Sequence, residues 1–413
     1  MGMNETPRSE RAHIAIFGKR NVGKSSLINA LTGQDLAVVS PVGGTTTDPV
    51  YKSMELLPLG PAVLIDTPGL DDEGELGTLR VNKAREVLNK TDIAVVVFDG
   101  ADLSDLELSL VRQIREAKIP ILGAVNKCDG QRCDERQRTE MQNILGIKLY
   151  PVSAATGQGV GELREAIAGM APESSDKFTI MGDLVSQGDF VVLVTPIDKA
   201  APKGRLILPQ QQVIRDLLES DATAVITKEF ELKETLAALG KKPRMVVTDS
   251  QVFLKVAADT PKDIPMTSFS ILFARSKGNL AELVRGAKAV EDLKDGDRVL
   301  IAEACTHHRQ SDDIGRVKIP RWLRQLTGRQ LNFEYSSGMS FPADLGEYAL
   351  VVHCGGCMLN RRAMSYRVEQ AVKAGAPIVN YGVLIAYVQG ILERAIKPFP
   401  SAAMAWEEIK GQI

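Results

Sequence analysis

Residues 12–32 read AHIAIFGKRNVGKSSLINALT, and the architecture of the first part of the chain follows from them. The first six are largely apolar, as in a buried strand, and the last nine have the apolar spacing of a helix. Between them residues 18–25 have the pattern G-x-x-x-x-G-K-S, whose backbone amide groups can wrap a phosphate chain. A strand, this loop and a helix in that order are typical of a P-loop. The stretch therefore predicts an α/β domain that binds a nucleotide.

The P-loop gives a chemical task to several of its residues. We expect Lys24 to reach the β and γ phosphates and the Ser25 hydroxyl to ligate Mg²⁺. The helix that begins near Lys24 adds the positive end of its dipole. The candidate nucleotide-binding residues of the loop are Gly18, Asn21, Val22, Gly23, Lys24, Ser25 and Ser26.

A second motif, Asp66-Thr67-Pro68-Gly69, follows the apolar run AVLI, which predicts a strand. The carboxyl ends of parallel strands are where ligands collect in sheets of this kind. At that edge the Asp66 carboxylate can hold the Mg²⁺ shell, and the Gly69 amide can sense a γ phosphate.

A third motif, Asn126-Lys127-Cys128-Asp129, ends another predicted strand and points to the base of the nucleotide. The Asp129 carboxylate can accept two N–H bonds, one from guanine N1 and one from its 2-amino group. Adenine offers no such pair, so Asp129 predicts GTP rather than ATP. Ser153 and Ala154 follow the next strand and can close over the base.

These motifs, in this order, resemble those of small GTPases of the TrmE/Era type over the first 170 residues. The resemblance implies that Thr46 is the Mg²⁺-binding threonine of the switch loop and that Asn21 helps to hold K⁺ beside the phosphates. Leu70 stands where Ras-like enzymes carry a water-orienting Gln, so we expect slow hydrolysis that another group or a dimer contact assists. The implied catalytic residues are Lys24, Thr46, Asp66 and Gly69.

Alternation of apolar strands with helices continues to the end of the chain and predicts an α/β fold with three domains. We expect a parallel-type sheet in the P-loop domain, residues 1–171, and a polar linker at 172–185. Two smaller α/β domains follow at 186–265 and 266–413. The first of these is small and apolar, which predicts a homodimer in which a second copy covers it.

Composition narrows the class of protein. The chain has 413 residues, 50 Lys+Arg against 52 Asp+Glu, and 44% hydrophobic residues, which excludes general disorder and argues against a protein that coats nucleic acid. No run reaches the roughly 18 to 20 apolar residues of a membrane span, and the N-terminus lacks an apolar signal core. We therefore expect a cytoplasmic protein without a membrane partner. Its five cysteines, an odd number, are expected to be reduced thiols.

Most histidines cluster with late cysteines. Cys305 and His307 follow the predicted strand RVLIAEA, while His353, Cys354 and Cys357 follow YALVV. If both strands belong to one parallel sheet, the two groups meet at its carboxyl edge. Three thiolates suit a 4Fe-4S cluster with one corner open to another ligand, for which His353 and His307 are candidates. A Cys₃His zinc site and buried thiols without metal remain alternatives.

The GTPase motifs combined with C-x-H and H-C-x-x-C are similar to one family over essentially the whole chain: the FeFe-hydrogenase maturation GTPases called HydF. The segments that carry the resemblance are ACTHH at 304–308, HCGGCMLNRR at 353–362 and PIVNYGVLIAY at 377–387. It implies a GTPase domain, a dimerisation domain and a cluster domain whose three cysteines bind a 4Fe-4S cluster with a labile fourth site. It also implies delivery of a diiron precursor, made by two radical-SAM partners, to the apo-hydrogenase.

Another interpretation is a ribosome- or RNA-linked GTPase whose Cys/His site is structural zinc. That function predicts a basic face with aromatic residues. The short runs Arg321-Trp322-Leu323-Arg324 and Arg361-Arg362 are typical instead of solvated helix faces. Radical-SAM chemistry is disfavoured because the spacing C-x-x-x-C-x-x-C does not occur.

Overall fold

The computed structural model describes residues 6–33, 48–69, 83, 84, 86–100, 103–129, 134–170, 179–196, 206–304, 313–338, 341, 342 and 344–411. It divides into two compact units, Met1–Lys177 and Phe178–Ile413. Several residues singled out above lie outside the described ranges: Thr46, Leu70, Cys305, His307 and His308.

The first unit has a six-stranded sheet in the order β2-β3-β1-β4-β5-β6. Its strands are β1 Ala12–Gly18, β2 Val50–Leu56, β3 Gly60–Asp66, β4 Ile93–Phe98, β5 Ile121–Val125 and β6 Leu149–Pro151. Five strands are parallel, and only the edge strand β2 is antiparallel, to β3. Among the described strands, β2 is the one antiparallel strand in the parallel-type sheet expected from the sequence, and it lies at the sheet edge. Apart from the buried Leu56, its residues are exposed or half-buried, as at a sheet edge, rather than forming a buried apolar run.

Helices cover both faces of this sheet, so each central strand is buried on both sides. Along β1, Ile14 and Ile16 join one hydrophobic cluster, while Ala15 and Phe17 join the cluster on the opposite face. This alternation is the side-chain period of a strand. The helices with described bounds are Lys24–Thr32, Asp105–Glu116, Glu135–Leu145 and Val160–Ala168.

The second unit has two four-stranded sheets in the orders β10-β9-β7-β8 and β12-β11-β13-β14, and every pairing in them is parallel. The first contains β7 Phe190–Val194, β8 Thr223–Thr227, β9 Met245–Thr248 and β10 Met266–Ser268. The second contains β11 Arg298–Glu303, β12 Asn332–Ser337, β13 Leu350–His353 and β14 Ile378–Asn380. The sequence pattern did not reveal β10, which lies just past residue 265.

One hydrophobic cluster runs through both sheets of this unit, from Val192 on β7 to Ile301 on β11. The helix Phe269–Lys277 contributes Ile271, Leu272 and Phe273 to that cluster. The helices are Leu208–Glu219, Leu232–Ala238, Phe253–Asp259, Phe269–Lys277, Leu280–Lys288, Ile319–Thr327, Arg361–Lys373, Tyr381–Val388, Leu392–Ile396 and Pro400–Lys410. The predicted α/β class is confirmed in both units. Among the described residues, none of the helices has the length and apolar character that a bilayer crossing requires.

A candidate nucleotide site and a candidate cysteine site

The P-loop connects β1 to the helix Lys24–Thr32 and encloses the side chain of its own lysine. Lys24 is buried, and its Nζ donates to the carbonyl oxygens of Gly18 at 3.1 Å and Lys19 at 2.7 Å. Gly18 and Gly23 have φ values of +147° and +92°, which favour glycine. A Cβ at Gly18 would lie 2.5 Å from the Val97 carbonyl oxygen. The loop therefore needs both glycines to wrap around the ammonium group.

Ser25 and Asp66 come together beside this loop as the sequence predicts. The Ser25 hydroxyl donates to Asp66 Oδ2 at 2.6 Å. Among the described residues, the other carboxylate oxygen, Oδ1, is buried and has no hydrogen-bond partner. Burial raises the pKa of the Asp66 carboxyl, and the Ser25 hydrogen bond and the Lys24 charge oppose that shift. A hydroxyl and an unsatisfied carboxylate oxygen are the hard oxygen donors that Mg²⁺ prefers, so the residues fit this ion.

Asn126 connects three of the predicted motifs. Its side-chain Nδ2 donates to the Val22 carbonyl oxygen in the P-loop at 2.8 Å, and its Oδ1 accepts from the Ala154 amide at 3.0 Å. Next to it, Lys127 Nζ donates to the Asn21 carbonyl oxygen at 2.8 Å. Asp129 follows with an exposed side chain. The structure thus fastens the predicted base-binding loop to the phosphate-binding loop, with the Asp129 carboxylate open to solvent.

The motif around Asp66 also lies against the P-loop. Thr67 is buried, and its Oγ1 donates to the Ile16 carbonyl oxygen at 2.7 Å. A Cβ at Gly69 would lie 3.1 Å from the backbone of Arg20. The Gly69 backbone is therefore close enough to the P-loop to respond to a group bound there.

Sequence reasoning missed Glu107, which anchors the P-loop from outside. Glu107 is buried near the start of the helix Asp105–Glu116, and its Oε2 lies 2.8 Å from Lys19 Nζ. The same carboxylate accepts from the Ser104 amide at 2.9 Å in a capping box. The pattern Ser-x-x-Glu before an apolar run was the available signal for the cap. It gave no indication of the contact with Lys19.

The cysteine loop, residues 353–359, begins at the end of β13. The Sγ of Cys354 accepts backbone N–H groups from Ala304 at 3.2 Å and from Gly356 at 3.4 Å. Ala304 directly follows β11, which pairs with β13 in parallel, with Ala302 opposite His353. The predicted meeting of these two strand ends in one sheet is therefore observed. Both Cys354 and Cys357 are half-buried free thiols. Cys128 in the first unit is instead disulfide-bonded, so the expectation of five reduced thiols is wrong for this residue.

Amide donors to sulfur stabilise a thiolate, and they are a known means of tuning cysteine-bound iron–sulfur clusters. In the described ranges, no three His, Cys, Asp or Glu side chains converge on one point. Cys305 and His307 lie outside those ranges. The described donors are two half-buried thiols, one of which accepts two backbone N–H bonds, and they fit the chemistry of a thiolate-bound iron–sulfur cluster.

His353 is completely buried and both of its ring nitrogens have partners. Its Nδ1 lies 2.8 Å from the Cys354 carbonyl oxygen, and its Nε2 lies 2.9 Å from Arg367 Nη1. Burial first, and then the Arg367 charge, lowers the pKa of His353 to about 3. Arg367 also donates to the Gly338 carbonyl oxygen at 2.8 Å. The imidazole is therefore neutral and ties the start of the cysteine loop to the helix Arg361–Lys373.

Comparison with known proteins first defines the class. The family model of the 50S ribosome-binding GTPase matches residues 13–127, so the first unit carries a P-loop GTPase domain. The tRNA modification GTPase MnmE of Endomicrobium trichonymphae is 30% identical over 190 residues, which cover 45% of this chain and 40% of that protein. GTPase Der of Solidesulfovibrio magneticus is 37% identical over 165 residues, 39% of this chain and 36% of that protein. The chain thus spans about two fifths of the length of these relatives.

Among solved structures, the chain is similar to Era of Aquifex aeolicus bound to GDP·AlF₄⁻, with 18% identity and a TM-score of 0.37. That match covers 56% of this chain and 99% of the other. The G domain of the T. maritima FeoB iron transporter is 29% identical, with a TM-score of 0.31, over 39% of this chain and 99% of the other.

The second unit identifies the family. The Hydrogen maturase F dimerization domain matches residues 180–278, and the Hydrogen maturase F tetramerization domain matches residues 281–398. These two matches span more than half of the chain and follow the GTPase domain. The chain belongs to the HydF family of hydrogenase maturation GTPases, which confirms the family expected from the sequence. The cysteine loop lies within the segment that the tetramerization model matches.

Proposed function

We propose that the chain is a GTP-hydrolysing scaffold that holds a 4Fe-4S cluster and delivers a diiron precursor to apo FeFe-hydrogenase. The observation that supports this most is the environment of Cys354. Its sulfur accepts two backbone N–H groups at the adjoining ends of β11 and β13. Soft thiolate ligands suit iron and sulfide.

The three cysteines of the proposed cluster site are Cys305, Cys354 and Cys357. A cubane bound by three thiolates keeps one corner open, and a carrier needs an opening of this kind to accept and release a second iron unit. His307 and His353 are the candidates for the fourth position. Ligation by His353 would require one of its two ring hydrogen bonds to break, because both nitrogens have partners.

The proposed nucleotide chemistry is supported by the positions of Lys24, Ser25 and Asp66 at the P-loop, and it also uses Thr46 of the switch loop. Lys24 neutralises charge on the β and γ phosphates, Ser25, Thr46 and Asp66 hold Mg²⁺, and Gly69 responds to the γ phosphate. Asp129 selects guanine by accepting its two N–H groups. Asn21 helps to hold K⁺, a cation in the place where other GTPases insert an Arg finger, so that K⁺ stimulates a slow reaction.

We further propose that the protein works in the cytoplasm as a homodimer joined through residues 186–265, with the apo-hydrogenase and two radical-SAM maturases as partners. Light scattering at micromolar concentration distinguishes the dimer from a monomer. Neither a membrane nor a nucleic acid is a partner in this proposal. Arg324, one of the arginines that could form a basic face for nucleic acid, is already engaged within the protein. Its guanidinium lies over the Phe333 ring, 5.0 Å from the centroid, and donates to the Leu331 carbonyl oxygen. This arginine packs against its own unit.

The decisive experiment is anaerobic purification and reconstitution with iron and sulfide, followed by metal analysis and EPR spectroscopy. The proposal predicts one 4Fe-4S cluster per chain and activation of apo-hydrogenase after loading by the two maturases. Replacing Cys128 with Ser is the control and should leave the cluster bound, because Cys128 is disulfide-bonded and lies in the first unit. Stoichiometric zinc with no iron after reconstitution would overturn the carrier and favour the RNA-linked GTPase.

A further inference from the structure

A lysine from outside the cysteine motif holds the loop that carries it. Lys277 is the last residue of the helix Phe269–Lys277, and its side chain is completely buried. Its Nζ donates to three carbonyl oxygens of the cysteine loop: Gly356 at 3.0 Å, Cys357 at 3.2 Å and Leu359 at 2.8 Å. Three bonds match the three N–H donors of an ammonium group. Lys277 therefore fixes the backbone on both sides of Cys357.

The loop has a conformation that needs such support. Gly356 has a φ of +62°, in the left-handed region, and its carbonyl oxygen is one of the three that Lys277 binds. The Gly356 amide donates to Cys354 Sγ. Gly356 thus donates its N–H group to the Cys354 sulfur and accepts from the Lys277 ammonium group through its carbonyl oxygen.

The opposite end of the same helix supports the neighbouring part of the sheet. Ser270 Oγ accepts from the Gly382 amide at 3.2 Å and from Asn380 Nδ2 at 3.2 Å, at the end of β14. A Cβ at Gly355 would lie 3.6 Å from that hydroxyl oxygen. The C-terminal end of the helix Phe269–Lys277 thus binds the cysteine loop, and its N-terminal end binds the residues that follow β14.

The buried positive charge of Lys277 also affects the electrostatics of the cysteine loop. Burying an ammonium group costs free energy unless polar or charged groups surround it. Beside the same loop, Arg367 is a second buried cation, whose pKa burial lowers and the Cys354 thiolate raises. In a buried environment of low dielectric, positive charges favour nearby anions more strongly than in water. The loop therefore lies in a region that stabilises negative charge.

We propose that Lys277 is a positioning residue that holds the cysteine loop in its ligand-presenting conformation and places a fixed positive charge beneath the site. The part that concerns the cluster rests on the proposed function. Positive charge near an iron–sulfur cluster raises its reduction potential, because reduction adds negative charge. Lys277 lies in the segment matched by the dimerization domain and the loop in that matched by the tetramerization domain. The contact therefore connects the two.

The test begins on the apo-protein, so that it does not depend on the cluster. In Lys277→Met, an apolar chain of similar length fills the space, but three loop carbonyl groups lose their donor. We expect the amides of residues 354–359 to exchange with solvent about tenfold faster, because the loop opens more easily. The matched control is Lys288→Met, which removes the same charge from a solvent-accessible ion pair with Glu291, 2.7 Å away. It should leave exchange in the loop unchanged.

The second measurement uses the reconstituted protein and separates charge from shape. Lys277→Gln keeps an N–H donor but loses the charge, so it should slow loop exchange relative to Lys277→Met. Both variants should hold the cluster at a more negative reduction potential than Lys288→Met. If amide exchange in the cysteine loop and the reduction potential of the cluster are the same in the Lys277 variants as in Lys288→Met, the proposal is overturned. If Lys277→Met does not fold, the same comparison is made with Lys277→Gln alone.

Failure of the proposed function has a different signature. If the protein holds zinc rather than iron while loop exchange still accelerates in Lys277→Met, Lys277 positions the loop and the carrier is wrong. If the cluster assembles normally while neither exchange nor potential changes, the carrier stands and Lys277 has no positioning role.

Discussion

The P-loop and the cysteine loop are both held by a buried lysine, but the two lysines come from different places. In the P-loop, Lys24 belongs to the motif and donates to carbonyl oxygens five and six residues away. In the cysteine loop, Lys277 donates to carbonyl oxygens 79 to 82 residues away. The supporting lysine of the P-loop belongs to the sequence motif, so the motif predicts the loop together with its support. The supporting lysine of the cysteine loop is distant in sequence, so the local motif indicates only the candidate ligands.

The two loops also lie in different compact units, each with its own hydrophobic clusters. Chemistry in one unit should therefore survive the loss of the site in the other.

The largest effect that this comparison predicts is the loss of the cluster. Cys354→Ser and Cys357→Ser should each abolish the 4Fe-4S signal in EPR, because a hydroxyl is a poor substitute for a thiolate ligand of iron. GTP hydrolysis should remain within about twofold of the unchanged protein, since the P-loop lies in the other unit. Loss of GTP hydrolysis in either variant would show that the two sites are coupled.

Lys24→Ala is the reciprocal change. The substitution removes the ammonium group that we propose binds the β and γ phosphates, and losing a charged partner of this kind weakens binding by about 100-fold or more. Titration with a fluorescent GTP analogue measures the loss. The iron content after reconstitution should be unchanged. Normal nucleotide affinity in Lys24→Ala would remove the P-loop assignment.

In the proposed nucleotide site, the preference for guanine depends on the exposed carboxylate of Asp129. Asp129→Asn replaces one acceptor with an N–H donor, which suits the 2-oxygen of xanthine and opposes the 2-amino group of guanine. We expect a shift of about 100-fold from GTP towards XTP, measured by competition with the fluorescent analogue. Preference for ATP in the unchanged protein would contradict the guanine assignment itself.

Much of the nucleotide site was predictable because its parts follow apolar strands. Runs such as IAVVVF in β4 are buried on both faces, and the motif residues come directly after strands of this kind. The edge strands β2 and β12 were missed, because almost all of their residues are exposed or half-buried and many are polar, so no apolar run marks them. Strand β10 has three residues, and two of them, Thr267 and Ser268, are polar, so no apolar run marks it.

Of the cysteine site, the sequence predicted the ligands and the sheet edge, but not the groups that support them. Lys277 ends a helix whose apolar residues indicate a core, and nothing adjacent in sequence links it to Cys357. Arg367 likewise follows no motif, although it lies 2.9 Å from His353. Contacts of this kind arise only when distant segments pack together.

A smaller effect is expected on the rate of GTP hydrolysis when the monovalent cation is changed. If Asn21 helps to hold K⁺ beside the phosphates, replacing Na⁺ with K⁺ should raise the steady-state rate by roughly tenfold, about 1.4 kcal/mol of activation free energy. Asn21→Ala should reduce that ratio towards one, and the cluster variants should keep it. Equal rates in both salts would remove the potassium site.

The smallest effect concerns the helix caps beside the two loops. Asn360 caps the helix Arg361–Lys373 by accepting from the Ala363 amide at 3.0 Å, so Asn360→Ala should lower the free energy of unfolding by about 1 kcal/mol. Asn360→Asp keeps the acceptor and is the control. Both tryptophans, Trp322 and Trp406, lie in the second unit, so their fluorescence in urea reports its unfolding alone.

In the first unit, the corresponding cap is Ser104, whose partner Glu107 also holds Lys19 of the P-loop. Ser104→Ala should therefore weaken nucleotide binding as well as the helix, whereas Asn360→Ala should change stability only. This difference follows from the two loops: the P-loop is anchored through a cap, and the cysteine loop through Lys277. Equal nucleotide affinity in Ser104→Ala and Asn360→Ala would show that the contact between Glu107 and Lys19 does not position the P-loop.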